Sequence, residues 1–477
     1  MFCMNTLIGR KEETALLQEA LKSETPELIV VYGRRRVGKT FLIRQVYRKQ
    51  IQFELSGLHN GKLSDQLENF SIELSQRMKG KFITTPIAWL EAFRLLVSYI
   101  NSLKSKKKKV IFFDEFPWLV TPRSKFLMAF ENFWNSHASK RTDLVVVICG
   151  SAASYMVTKI IKNKGGLHNR TTQSIRLLPF NLNETELFLK SKKIQYSRYD
   201  ILQLYMAIGG IPYYLEKLKK GESVAQALDR LCFAKDGILT DEFNLVFASL
   251  FDNHKKHVSI VKVLANVRKG MTRNDLIKKK NITSGGTFTE IMHELIESGF
   301  VTQYLPFGKK SKESFYRLTD EYSMFYLKFI NNSRAHGVGT WNTMFNARSY
   351  ISWSGFSFET VCLKHIQQIK NGLGIFGIHS ENSSWISKNI NNGAQIDLLI
   401  DRDDNIINLC EMKFSNSVFT ITKRYAEEIK KKIDVFKRTT KSRKNVFVLM
   451  ITTYGLYENK HSLEIVQNSL TMDCLFE

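Results

Sequence analysis

Apolar runs separated by amphipathic stretches set the outline of this chain. ELIVVYG, from Glu27, is apolar and β-branched; it leads into the glycine-bearing GRRRVGKT and then into FLIRQVYRK, whose apolar residues recur at helical spacing. That pattern predicts strand, loop and helix. KVIFFDE (Lys109 to Glu115) and LVVVICGS (Leu144 to Ser151) predict two further buried strands. Continuous apolar strands alternating with helices predict a parallel sheet covered on both faces. From about Asn181 the period turns helical, through NETELFLKS to LYMAIGGIPYYLEKLKK, and predicts a helical lid.

Between about His254 and Asp320, three helical segments (VSIVKVLANV, RNDLIKKK, TFTEIMHELIESGF) precede VTQYLPFGKKSKESFYRLT, which reads as two strands joined at GKKSK. Three helices and a hairpin predict a winged helix. EYSMFYLKFI predicts a further helix, and NNSRAHGVGT loses apolar periodicity, as a linker does. The last segment predicts a helix (FETVCLKHIQQIK), paired strands (AQIDLLIDR and IINLCEMKF), a basic helix (ITKRYAEEIKKKIDVFKR) and a late strand (NVFVLMITTY). The predicted division is 1–180 for the sheet domain, 181–235 for the lid, 236–330 for the winged helix, 331–349 for a linker and 350–477 for a final α/β domain.

The chain is 477 residues long, enough for several domains, and its 43% hydrophobic and 24% charged residues exclude wholesale disorder. A net charge of +25 favours a polyanionic partner, nucleic acid before an anionic membrane surface. Cys3, Cys149, Cys232, Cys362, Cys410 and Cys474 form no metal-ligand spacing, which points to a reducing compartment without structural zinc. No window approaches a membrane span and the start lacks a signal peptide, so the expectation is a cytoplasmic protein with no membrane partner.

Gly33 to Thr40, GRRRVGKT, fits Gly-x-x-x-x-Gly-Lys-Ser/Thr between a strand and a helix, the context a phosphate loop needs. Gly33 and Gly38 let the backbone curl so that amides of Arg34, Arg35, Arg36 and Val37 can point at phosphate oxygens. Lys39 is expected at the β- and γ-phosphates and Thr40 on Mg²⁺. The rival reading is a basic turn. Asp114 and Glu115 end the second strand, where Asp114 would hold the Mg²⁺ shell and Glu115 would orient or deprotonate the attacking water. Ser151 ends the third strand as a candidate sensor of the γ-phosphate, and Arg170 would supply positive charge to the transition state or serve only as a surface arginine.

The order LIGRKEE, GRRRVGKT, FFDEF, CGSAASYM, HNRTTQSIRLLPF and GGIPYYL resembles the prokaryotic, archaeal-type AAA ATPase family related to the STAND NTPases, over about residues 1–235. The resemblance implies that Gly9 and Arg10 lie near the adenine, that the lid segment around Pro212 faces the nucleotide, and that Arg170 is a finger acting across subunits of a homo-oligomer. Gly-Gly-Ile-Pro is otherwise a simple helix break. ATP is preferred to GTP on this resemblance and because no Asn-Lys-x-Asp tetrapeptide is present.

In the predicted winged helix, Thr287, Thr289 and His293 fall on the exposed side of a helix that buries Ile291, Leu295 and Ile296, a helix suited to a major groove. Lys309, Lys310 and Lys312 in the hairpin, with Lys278 to Lys280, would meet phosphates, unless the module only packs against the ATPase. In GAQIDLLIDRDDNIINLCEMKFS, Glu411 and Lys413 share a strand face and a hairpin would bring Asp397 beside them. Asp397 and Glu411 would then ligate Mg²⁺ or Mn²⁺, with Lys413 orienting a hydroxide or stabilising developing charge and Glu359 adding a further ligand or an acid behind the ligands. This string resembles the PD-(D/E)XK nuclease superfamily over about residues 350–477, with Ile396 where that pattern has proline. An amphipathic hairpin with exposed charge is the alternative.

The predicted architecture is α/β throughout: a P-loop NTPase parallel sheet with a helical lid, a winged helix, then a restriction-endonuclease-like domain. The predicted function is an Mg²⁺-dependent ATPase that binds DNA and cleaves it at Asp397, Glu411 and Lys413. The alternatives are an ATP-gated DNA-binding or signalling switch with an inactive nuclease fold, and an ATPase that remodels protein.

Overall fold

Five parallel strands, in the order β2-β3-β4-β1-β5, carry the first of two compact units, Met1–Leu178. They are β1 (Glu27–Tyr32), β2 (Ile51–Ser56), β3 (Lys109–Asp114), β4 (Leu144–Gly150) and β5 (Gln173–Arg176). The structure, a computed structural model, describes residues 7–477 except 106, 163–164, 168, 252, 281–284, 334–336, 338, 346 and 388–393. Cys3, part of the predicted linker and the side chain of Lys280 therefore lie outside the described residues.

Alternation along the strands sorts their side chains onto two faces. Leu28, Val30, Ile111, Phe113, Val146 and Ile148 pack with Trp89, Phe93, Phe126 and Phe130. Ile29, Val31, Val110, Phe112, Val145 and Val147 pack with Leu17, Leu42, Ile43 and Tyr47. Each such side chain, fully buried, contributes roughly 1.5–3 kcal/mol, so the sheet is held from both sides. The register pairs Tyr32 with Gly150 and Ser56 with Asp114, which brings the carboxyl ends of β1, β3 and β4 to one edge. β2 and β5 were not predicted: β2 mixes polar with apolar residues at the sheet edge, and β5 buries only Ile175.

The second unit, Pro179–Glu477, contains two further sheets and a short ribbon. The small sheet, β6 (Met271–Thr272), β7 (Val301–Tyr304) and β8 (Phe315–Leu318), is antiparallel and follows the helices His254–Ala265, Arg273–Lys280 and Gly286–Glu297 in space and sequence. The larger one uses β9 (Ser380–Ile386), β10 (Gln395–Arg402) and β11 (Ile406–Lys413). After β12 (Phe419–Thr420) come β13 (Asn445–Thr452), β14 (Leu456–Tyr457) and β15 (Val466–Thr471), giving the order β15-β13-β11-β10-β9, with β10 antiparallel to both neighbours and β11, β13 and β15 parallel. β12 and β14 form the ribbon.

The helices expected as a separate lid are built into this unit. Arg198–Ile208 is buried without interruption from Ile201 to Ile208, the mark of a helix packed on all sides. Gln203 Nε2 donates to Tyr350 Oη at 2.9 Å, Ser357 Oγ donates to the Met206 carbonyl at 3.3 Å, and Tyr199 stacks on Phe414 at 5.3 Å. Within the stretch expected as linker, Thr340–Met344 is helical and Trp341 is fully buried, stacked on Phe233. In the helix Gly286–Glu297, Ile296 is only half-buried; Phe288 and Met292 complete the core face with Ile291 and Leu295. Among the described residues no helix is long and apolar enough to cross a membrane, and Cys149, Cys232, Cys362, Cys410 and Cys474 are free and buried.

Candidate functional site

The loop after β1 curls as its glycines require. Gly38 has φ 91° and caps the helix Lys39–Val46, Arg36 also adopts a left-handed φ of 71°, and a Cβ at Gly33 would collide with the Leu177 carbonyl. Lys39, buried at the helix start, donates through Nζ to the carbonyls of Gly33 and Arg34, both at 2.9 Å. Arg10 braces the loop from outside: Nη2 donates to the Val37 carbonyl at 3.2 Å and to the Leu178 carbonyl at 2.7 Å. The buried Arg10, just after Gly9, thus holds the loop backbone in addition to any contact with adenine. Arg34 is buried, and the Arg35 guanidinium lies 5.4 Å from the Trp118 ring centroid.

β4 lies between β1 and β3, so its end stands between the phosphate loop and the acidic pair. Thr40 Oγ1 donates to Asp114 Oδ2 at 2.9 Å. Asp114 Oδ1 accepts from the Glu115 backbone at 3.1 Å. Burial pushes the Asp114 carboxyl above its usual range; the Thr40 bond opposes this and the neighbouring charge of Glu115 adds to it. Glu115, at φ 44°, turns its carboxylate to Ser151: Oε2 accepts from Ser151 Oγ at 2.7 Å and from Ser151 N at 3.1 Å. A hydroxyl beside a buried carboxylate is a hard-oxygen pair, which fits magnesium. Arg170 is exposed in the turn that precedes β5. Pro212 opens the short helix Pro212–Leu215 of the second unit.

The C-terminal residues converge differently. Leu398 pairs with Cys410, and continuing that register sets Asp397 opposite Glu411. Glu411 is buried and committed: Oε2 accepts from Tyr425 Oη at 2.7 Å, Oε1 is ion-paired with Lys432, and Lys413 Nζ lies 3.9 Å from Oε2. Glu359, on the helix Arg348–Lys364, is lifted to about 7 by burial and by the charge of Asp397, against the pull of Arg317, Lys413 and Arg268. Among the described residues no group of three or more His, Cys, Asp or Glu side chains is gathered to hold a metal. Tyr425 and Lys432 occupy both Glu411 oxygens, so a divalent ion shared with Asp397 and Glu359 would have to displace them.

Three partners of this cluster carry no motif and were not predicted: Arg317 from β8, Lys432 and Tyr425 from the helix Lys423–Thr440. The only signal for the last two was the basic character of that helix. In the hairpin expected to carry DNA-facing lysines, Phe307 packs on Phe436 at 5.2 Å and its amide donates to the Ser384 carbonyl at 2.7 Å, Lys309 pairs with Glu313 at 2.6 Å, and Lys310 and Lys312 are exposed.

Residues 7–218 match the family model described as an ATPase domain predominantly from Archaea. An uncharacterized protein of Methanocaldococcus jannaschii is 28% identical over 368 residues, 76% of this chain and 77% of its own. An uncharacterized ATP-binding protein of the same organism is 42% identical over 45 residues, 9% of this chain and 76% of that one. Among solved structures, the Walker-type ATPase of Pyrococcus abyssi is similar at 18% identity and TM-score 0.47, over 67% of this chain and 96% of that chain. The ORC2 protein of Aeropyrum pernix is similar at 13% identity and TM-score 0.41, over 72% and 96%. Residues 7–218 are thus similar to the ATPase domains found predominantly in Archaea.

Proposed function

We propose that the chain hydrolyses ATP with magnesium through its first unit and holds DNA through its second. The observation that carries the first half is the Thr40–Asp114 contact at 2.9 Å, set beside a loop whose lysine already bonds to backbone carbonyls. Thr40 and Asp114 would hold magnesium, which when bound neutralises phosphate charge. Lys39 exchanges the Gly33 and Arg34 carbonyls for phosphate oxygens, and the loop amides supply the remaining donors. Glu115 takes a proton from water as the water oxygen bonds to the γ-phosphorus; the bond to the bridging oxygen breaks, leaving ADP and phosphate. Ser151 holds Glu115 until that moment and so sets where the base sits.

Lys39→Ala is expected to abolish nucleotide binding measured by calorimetry. Glu115→Gln is expected to retain binding while phosphate release falls by about 10²–10⁴-fold. Turnover by Glu115→Gln at the parent rate would remove Glu115 from the chemistry.

The second half draws on the net charge of +25 and on the winged-helix order of helices and strands around β6, β7 and β8. Phosphodiester cleavage is a second reading, favoured by one observation: Asp397 and Glu359 line a single cleft with cationic walls. Incubating DNA with Mg²⁺ or Mn²⁺ and comparing the parent with Asp397→Ala decides it. Cleavage lost in the variant supports a nuclease, and intact DNA with active ATP hydrolysis supports the binding switch.

A further inference from the structure

Arg35, the third residue of GRRRVGKT, places its guanidinium over the indole of Trp118, 5.4 Å from the ring centroid. No carboxylate among the described residues pairs with it. β4 separates β1 from β3, so a side chain that starts on the loop after β1 and ends on the turn after β3 crosses the gap between Lys39 and Glu115. If the first unit hydrolyses ATP, that gap receives the γ-phosphate and the attacking water.

The ring under Arg35 is pinned in place. The Trp118 amide donates to the Glu115 carbonyl at 2.9 Å, the Trp118 carbonyl accepts from Gln66 Nε2 at 3.1 Å, and its Cβ stands so near Gly57 that a side chain there would collide with it. Gln66, buried on the helix Leu63–Arg77, also accepts from the Leu58 amide at 3.0 Å and donates to the Leu58 carbonyl at 2.7 Å. The His59 ring meets the indole edge-on at 4.9 Å. Trp118 is thus tied to Glu115 and offers one defined surface beside the candidate base. An indole face holds a guanidinium weakly, whereas phosphate oxygens take it in a stronger, bidentate and charge-assisted pair. The cation is therefore poised to leave the ring when a terminal phosphate arrives.

We propose that Arg35 is a catalytic residue for ATP hydrolysis, supplied by the phosphate loop itself: its guanidinium rests on Trp118 until ATP binds and then donates two N–H groups to γ-phosphate oxygens. Trp118 is the positioning residue that keeps the cation out of the phosphate cradle until then. As the γ-phosphoryl group transfers, charge spreads over its equatorial oxygens, and a guanidinium set against two of them gains most at that point, so turnover depends on it more than affinity does. ADP has no γ-phosphate, and with ADP the cation stays on the ring. The inference rests on the reading of the first unit as an ATPase and names the side chain that answers to the terminal phosphate.

The test uses the full chain and reads phosphate release, nucleotide affinity by calorimetry, and tryptophan emission on adding ADP or the non-hydrolysable β,γ-imido analogue of ATP, with melting temperature reporting the fold. Arg35→Ala is expected to lower kcat by about 10²–10³-fold while its Kd for ADP stays at the parent value, and Arg35→Lys, which keeps the charge, to recover part of the rate. The parent's emission is expected to change with the analogue and not with ADP, and Trp118→Phe to lose that change. Trp118→Ala, with no ring for the cation to give up, is expected to bind the analogue about two- to fivefold more tightly than the parent, and Trp118→Phe to restore the parent's Kd. Parent-like turnover by Arg35→Ala overturns the proposal, as does an emission change that ADP gives as fully as the analogue. A Kd for ADP that rises in Arg35→Ala as much as kcat falls reduces the side chain to building the loop and overturns it too. A parent that hydrolyses no ATP overturns the ATPase reading itself, and its own assay shows this before any variant is compared.

Discussion

Glu359 shows what a single carboxyl undergoes when it shares a buried cleft with a second one. Its folded value of about 7 stands above the ordinary 4.5, so the folded chain holds this proton more tightly than the unfolded chain. The sign follows: no cost arises below about pH 4.5, and stability is lost as pH rises towards 7, by roughly 3 kcal/mol in all. Glu359→Gln is expected to gain on the parent by up to that amount between pH 4.5 and 8 in urea denaturation. A constant gap between the two proteins across this range would refute the shared-cleft picture. At this scale the sequence is informative where chemistry is local. Gly33, Gly38, Lys39 and Thr40 lie within eight residues, and their backbone geometry follows from their order. Arg317 and Lys432 are another matter, because their partners Glu359 and Glu411 are distant along the chain and no spacing rule joins them.

Between elements, one histidine marks how the helices of the second unit are tied. His365 is buried; its Nε2 accepts from the Leu182 amide at 3.1 Å and its Nδ1 lies 2.8 Å from the Val361 carbonyl, a pattern that only the neutral ring satisfies. Burial lowers it to about 4, so its contribution is fully present above about pH 6.5 and is lost as pH falls towards 4, worth roughly 3 kcal/mol. Denaturation at pH 7 and pH 4.5 is expected to show a smaller acid-induced loss in His365→Gln than in the parent. Equal losses would mean the ring is not held neutral. The bond joins Leu182–Ser191, expected as part of a lid, to the segment after Arg348–Lys364. Periodicity revealed each helix but not this partnership, since a stripe of apolar positions does not say which face will cover it. β2, β5, β6, β9, β12, β14 and β15 escaped notice for a related reason: short or mixed-polarity edge strands give little alternation to read.

At the scale of the whole molecule, the exposed Arg170 raises the question of how many copies act together. If its guanidinium completes the nucleotide site of a second copy, Arg170→Ala and Lys39→Ala are each inactive alone, yet a mixture recovers part of the phosphate release. No recovery on mixing, with both variants folded, would confine each site to its own chain. The net charge of +25 bears on the same scale, because any DNA complex this chain forms should weaken steeply as salt rises.

The brace at Arg10 has a mechanical consequence. The guanidinium that steadies Val37 in the phosphate loop also grips the carbonyl of Leu178, and Leu177, whose amide donates to the Tyr32 carbonyl at 2.7 Å, sets its own carbonyl where a Cβ at Gly33 would stand. Leu178 is the last residue of the first unit. The peptide that leaves the parallel sheet is therefore clasped to the loop that would receive the phosphates. Any shift of that loop between ATP and ADP would be felt at the joint within a few ångströms, with no relay through the core.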